Sequence, residues 1–216
     1  MTFRLAISMC TLIYSMIHAQ INPDLIDIVR DSYGVPHIFA ATDAEVSYGL
    51  AWAHAEDDFT TIQQGYLAGN NMLSINIGNA GLGADFIAQF IGSEELFNDR
   101  YVNEISAEYK KVVNGYAAGL NSYATSHPEE VLVKALFPIT PKKMMRYAQL
   151  QLFISSKGDQ WVQRIVSNQL TYDFKAEETP KGSNTFAFNS SKTKDGSTYL
   201  AINTHQPLDG PVSWYE

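Results

Sequence analysis

The apolar residues of this chain change their period once, and that change divides the molecule. From Thr42 to about Tyr172 they recur every three to four positions, the spacing of one helix face; after "KAEETPKG" (175–182) they alternate, as on the two faces of a strand. Long helices followed by strands place the chain in the α+β class. A shorter strand, turn and strand is expected ahead of the helices, in "INPDLIDIVRDSYGVPHIFA" (21–40), with Tyr33-Gly34 at the turn.

Four helices are expected. The first runs through 42–69, opened by Thr42 and Glu45 in capping-box spacing, with Val46, Leu50, Ala53 and Ile62 as its apolar marks. The Gly- and Asn-rich stretch 70–92 reads as loop or short helical turns. A second helix covers roughly Val102 to Ala124, with Ile105, Tyr109, Val112, Val113, Tyr116 and Leu120 on one face. Thr140-Pro141 is a cap and first-turn pair that starts a third helix through about Ser155, and "DQWVQRIVSNQLTY" (159–172) supplies a fourth. Strands are expected at 183–190 and 197–203, joined by a turn at Asp195-Gly196. Two strands make no stable sheet by themselves, so the chain reads as the N-terminal part of a longer protein.

The first twenty residues read as an export signal. Arg4 is followed by an apolar run from Leu5 to Ile17 and a cleavage point after Ala19, which predicts a secreted or periplasmic protein without a membrane span. The single cysteine, Cys10, leaves with that segment, so disulfides, thiolate metal sites and a cysteine nucleophile are excluded from the mature chain. The net charge is −8, without a cluster of cations, which excludes a nucleic-acid partner.

No G-x-S-x-G, H-E-x-x-H, phosphate loop or dinucleotide fingerprint occurs. His54 with "AEDD" (55–58) reads as a solvated or paired helix surface, and His37 as a packed, hydrogen-bonded strand residue. "GSNTFAFN" (182–189) is different. Ser183 either begins a strand after a glycine-containing linker or, if the bond to Gly182 is cut, becomes an N-terminal residue. In the second case its hydroxyl lies beside a free α-amine, a base of unperturbed pKa about 7.7 to 8.0 and a known activator of hydroxyl nucleophiles.

Five segments decide between these readings: "RDSYGVPHIFA" (30–40), "YGLAWAHAEDDF" (48–59), "NGYAAGLNSY" (114–123), "GSNTFAF" (182–188) and "INTHQPLDGPVSWYE" (202–216). In that order they resemble penicillin acylases and the related acylases of acyl-homoserine lactones and cyclic lipopeptides, over nearly all of the mature chain. The resemblance implies a self-processing N-terminal-nucleophile hydrolase of layered αββα architecture. Residues 20–174 would be its α chain, 175–182 the end of an excised linker and 183–216 the start of its β chain.

It further implies cleavage between Gly182 and Ser183, with Ser183 as nucleophile and, through its freed amine, as base. His205 matches a family position held by His or Gln near the nucleophile, within Asn203-Thr204-His205 where relatives often read Asn-Pro-His or Asp-Pro-His. Asp58 stands where the family usually carries Arg. The implied reaction is hydrolysis of linear amides of an apolar acyl group, with a small-molecule N-acyl amide as substrate and the remainder of the β chain as partner. Leu152 and Phe153 are candidates for the acyl pocket. No cofactor is required; a structural calcium is implied by the resemblance, with most ligands and the oxyanion donors beyond Glu216, so residues 20–216 alone are expected to be inactive. The competing reading is a truncated, non-catalytic secreted protein, which a reading frame continuing past Glu216 would argue against.

Overall fold

The computed structural model describes residues 21–92, 97, 100, 101, 103–169, 182–205 and 215. The export segment with Cys10 and His18, and linker residues 175–181, lie outside them. Strands β1 (Asp27–Arg30) and β2 (Pro36–Phe39) pair antiparallel, Ile28 opposite Ile38, around a turn in which Gly34 takes φ +87°, a conformation that a side chain would strain. Helix α1 (Asp43–Gly69) follows. Thr42 Oγ1 accepts from Glu45 N–H and donates to the Glu45 carboxylate at 2.9 Å, so the expected Thr42–Glu45 pair caps the helix through the hydroxyl.

Three further long elements complete the helical body: α4 (Ala107–Ser126), α5 (Pro141–Ser155) and the shorter α6 (Gly158–Val166), preceded by α2 (Leu73–Ile77) and α3 (Leu82–Phe90). The core lies where α1, α4 and the loop into α5 meet, and holds Phe59, Leu67, Leu120, Tyr123, Leu136 and Ile139. Backbones approach closely there because small residues face each other. A Cβ on Gly115 would lie 2.1 Å from the Ala44 carbonyl oxygen, and one on Gly69 would lie 2.4 Å from Tyr147 Cα, so α4 and α5 both seat directly on α1. Two side-chain amides pin the connecting loop: buried Gln63 bonds Glu130 O and Leu132 N–H, and half-buried Asn121 bonds both backbone groups of Ile139.

Several expectations are corrected. Of the expected marks on α1, Ala53 and Ile62 are buried, beside Tyr48, Ala51, Ala55 and Phe59, but Val46 and Leu50 are 37% and 38% exposed, because the close crossing with α4 selects small residues over large ones. α4 begins at Ala107, capped by Ser106, so Ile105 precedes it. Residues 70–92 take the second of their two expected forms, short helical pieces, with Asp85 holding the N–H groups of Leu73 and Ser74 at 2.8 and 3.0 Å. α6 ends at Val166.

The second hairpin pairs β3 (Ser183–Phe188) with β4 (Tyr199–Thr204) antiparallel, Ser183 opposite Thr204. Its connection is longer than a two-residue turn. A 3-10 turn at Ser190–Lys192 precedes Asp195, whose carboxylate accepts from Ser197 N–H at 3.1 Å, and Gly196 takes φ +74°. The described strands form two separate two-stranded sheets beside a mostly helical body, the expected α+β class.

Candidate active site

The end of the hairpin brings the sequence-predicted residues together. Because Ser183 pairs with Thr204, the next residue, His205, falls across from Gly182. A Cβ on Gly182 would stand 3.2 Å from His205 Nδ1, closer than ordinary van der Waals contact, so the absent side chain is what lets the imidazole lie against this peptide. The Asn184 amide nitrogen is 3.1 Å from His205 Nε2. An amide NH2 only donates, so Nε2 accepts and a neutral ring carries its proton on Nδ1, the nitrogen facing Gly182. Ser183 and His205 are both exposed.

A cavity of about 280 Å³ opens between α1, α4 and α5. Ile62, Val113, Met144 and Met145 give it an apolar wall, and His54, Tyr116 and Gln151 a polar one. α5 lines it through Met144, Met145, Tyr147, Ala148 and Gln151. Leu152 instead points to solvent at 72% exposure, and Phe153 packs against Gly158. Burial pushes the Tyr147 hydroxyl up to about 12 and raises Tyr116 further, so both stay protonated donors at neutral pH.

Beside the cavity lies a cluster that sequence patterns do not disclose. Arg30 of β1 grips Asp57 of α1 in a fork, Nη2 to Oδ1 at 2.9 Å and Nη1 to Oδ2 at 3.0 Å, and also donates to Gly34 O and Glu56. The Tyr215 hydroxyl donates to the same Asp57 Oδ2 at 2.5 Å, and its ring stacks on His54 with centroids 4.4 Å apart. His54 Nδ1 lies 2.8 Å from Tyr116 Oη. Partial burial alone would raise the Asp57 carboxyl, but the bonds from Tyr215 and Arg30 outweigh it and hold Asp57 below its ordinary value. Burial lowers His54, against the opposing pull of Asp58 and Asp57. Burial, then the bond to Asp57, pushes Tyr215 up to about 12.

Residues 26–216 match the family described as penicillin amidase. The chain belongs to the penicillin amidase family. It is 23% identical over 145 residues to the acyl-homoserine lactone acylase PvdQ of Pseudomonas syringae pv. syringae (strain B728a), 61% of this chain and 18% of that protein. To the penicillin G acylase of Escherichia coli it is also 23% identical, over 156 residues, 66% of this chain and 17% of the relative. The chain thus spans less than a fifth of the length of these curated relatives. Among solved structures, the thermostable penicillin G acylase from Alcaligenes faecalis superposes with a TM-score of 0.52 at 17% identity, covering 73% of this chain and 96% of that one. This likeness establishes a shared fold.

Asp58, in the place of the usual Arg, takes non-helical angles (φ −156°, ψ 65°) that kink α1, and its carboxylate accepts from Thr61 N–H at 3.1 Å as a cap for the second half of the helix. His37 is about half exposed and faces Asp31 at 3.5 Å, so it is a surface pair and not a packed strand residue. His127 stacks on Tyr123 at 4.1 Å. Among the described residues no three His, Cys, Asp or Glu side chains assemble a cation site, and no helix is long and apolar enough to cross a membrane. The calcium implied by the resemblance has no ligand set there.

Proposed function

We propose that the complete protein is an exported, self-processing amidohydrolase that cleaves linear amides of an apolar acyl group, with Ser183 as its N-terminal nucleophile. The observation that carries this reading is the placement of Gly182-Ser183 at the very start of β3, with the side-chain-free face of Gly182 against His205. In a chain of the penicillin amidase family, a serine directly after a glycine at a strand start supports reading the Gly182–Ser183 peptide as the bond that the Ser183 hydroxyl would attack.

Processing would begin with Ser183 Oγ adding to the Gly182 carbonyl carbon. The carbon–nitrogen bond breaks, an ester forms, and the Ser183 nitrogen leaves as a free amine; water then hydrolyses the ester. In turnover the same Oγ attacks the substrate amide, giving its proton to the α-amine, which passes it to the departing amine of the substrate. Water attacks the acyl-enzyme by the reverse roles and restores the serine. His205 has no proton to take in this scheme and serves as a supporting group that orients the substrate carbonyl or tunes the amine.

The cavity between α1, α4 and α5 suits the acyl group. At about 280 Å³ it exceeds the roughly 150 Å³ that a benzene-sized guest fills in an apolar cavity. The named relatives act on acyl-homoserine lactones and penicillin G, both N-acyl amides, which supports the same bond class here.

The test is the fate of Ser183 in the full-length protein. The larger fragment should begin Ser-Asn-Thr-Phe, while Ser183→Ala should stay uncut and lose hydrolysis of an N-acyl amide to background. Efficient cleavage of the alanine variant at this bond would overturn the mechanism.

A further inference from the structure

Arg30, Asp57 and Tyr215 meet from three parts of the chain, Tyr215 and Asp57 being 158 positions apart. Cleavage before Ser183 would place the first two on one fragment and the third on the other. Within this chain the hairpin packs little on the helical body: β3 is exposed along its whole length, and β4 from Tyr199 to Asn203. Tyr215 is different. It combines a hydrogen bond to a carboxylate with a ring stacked on His54, the apolar body and polar tip that make tyrosine an effective interface anchor.

Its receiving site is built independently of it. The Arg30 guanidinium is fixed by the Gly34 carbonyl at 2.9 Å and by Glu56 at 3.3 Å, and its fork on Asp57 fixes the carboxylate plane. Oδ2, already bonded to Arg30 Nη1, accepts the Tyr215 hydroxyl as a second donor. His54 is likewise held from behind by Tyr116 at 2.8 Å, so the face on which the Tyr215 ring lies is preset. A seat whose parts are ordered by their own neighbours loses little freedom when occupied.

We propose that Tyr215 is an anchor that helps seat the fragment beginning at Ser183 on the helical fragment after cleavage, its hydroxyl on Asp57 and its ring on His54. This rests on the self-processing reading. The seat belongs to β1, α1 and α4, and its occupant is the protein's own segment following β4.

The experiment uses the cleaved full-length protein, wild type and Tyr215→Phe, titrated with urea while size-exclusion chromatography follows separation of the two fragments. Tyr215→Phe keeps the ring and removes only the hydroxyl. It should be cleaved normally, yet its fragments should separate at lower urea, with an apparent dissociation constant raised roughly tenfold to a hundredfold, the scale of a hydrogen bond to a charged group. Asp57→Asn should loosen the fragments less in the Tyr215→Phe background than in the wild type, because the two residues share one bond. Separation of Tyr215→Phe at the wild-type urea concentration overturns the proposal, and so does full additivity of the two substitutions. If the protein is never cleaved, the self-processing reading fails separately. The contact is then tested in the single chain by hydrogen exchange, where Tyr215→Phe must speed exchange at residues 53–58; unchanged exchange overturns it.

Discussion

The helical body and the β3–β4 hairpin are built on opposite terms. In the body, Leu67, Leu120, Leu136 and Leu150 are almost wholly buried, and glycines let α1, α4 and α5 touch backbone to backbone. In the hairpin, no residue of β3 is buried, and large apolar side chains such as Phe186 and Ile202 stand 56% and 67% exposed. The body holds its shape by packing within this chain, whereas the hairpin is held by its ladder and turn bonds. Substitutions in the body should therefore act through stability, and substitutions at the hairpin's end through chemistry.

The largest effect should come from the core. Leu120→Ala removes a side chain that is 1% exposed, and truncations of this kind cost about 2–5 kcal/mol. Urea or thermal unfolding should show the loss, with kcat/KM of the folded, cleaved fraction near wild type. A large fall in kcat/KM at full foldedness would break the division between the two regions.

Next in size is His205, where the prediction inverts. His205→Gln keeps a hydrogen-bonding group for Asn184 and should retain self-cleavage and measurable turnover. His205→Leu should lower kcat/KM by roughly tenfold or more, on the scale of one lost hydrogen bond, with little change in unfolding midpoint. If correctly cleaved and folded His205→Gln falls as far as Ser183→Ala, the imidazole is the base and the α-amine is not.

The smallest effect sharpens the boundary, since His54 belongs to the body yet touches Tyr215. Burial holds the folded His54 below its ordinary value near 6.5, so as pH falls the unfolded chain takes up the proton first. Stability should decline as pH drops below about 6.5, until the folded histidine also titrates. His54→Gln should make the melting temperature less dependent on pH across that window; an unchanged slope would remove His54 as its source.

Those elements that signal themselves locally were legible in the sequence. Thr42 with Glu45 and Thr140 with Pro141 fix two helix starts by bonds within four residues, and the structure contains both. The buried face of α1 was legible only in part: Ala53 and Ile62 are buried as expected, whereas Val46 and Leu50 outweigh Ala51 and Ala55 in hydropathy, but a close crossing with α4 favours the smaller pair. The proximity of His205 to Gly182 follows from the hairpin register once the two strands are recognised. The bond between Tyr215 and Asp57 has no local signature, because nothing in either segment's period points to a partner so far along the chain.

The kink of α1 has a consequence for how the molecule responds to its ionic surroundings. The Arg30–Asp57 pair joins two exposed-edge charges, and dissolved salt weakens such pairs as counterions gather around them. The bend at Asp58 needs no distant charge: it is secured by a single contact to Thr61 N–H, three residues on. An arginine at that position could not accept this bond and would have to fix any bend through a partner elsewhere. With aspartate, the turn into the second half of α1, and with it the cavity wall at Thr61, Ile62 and Tyr66, has a local cap beside the core packing of Phe59 and Leu67, and should respond to salt less than the Arg30–Asp57 pair does.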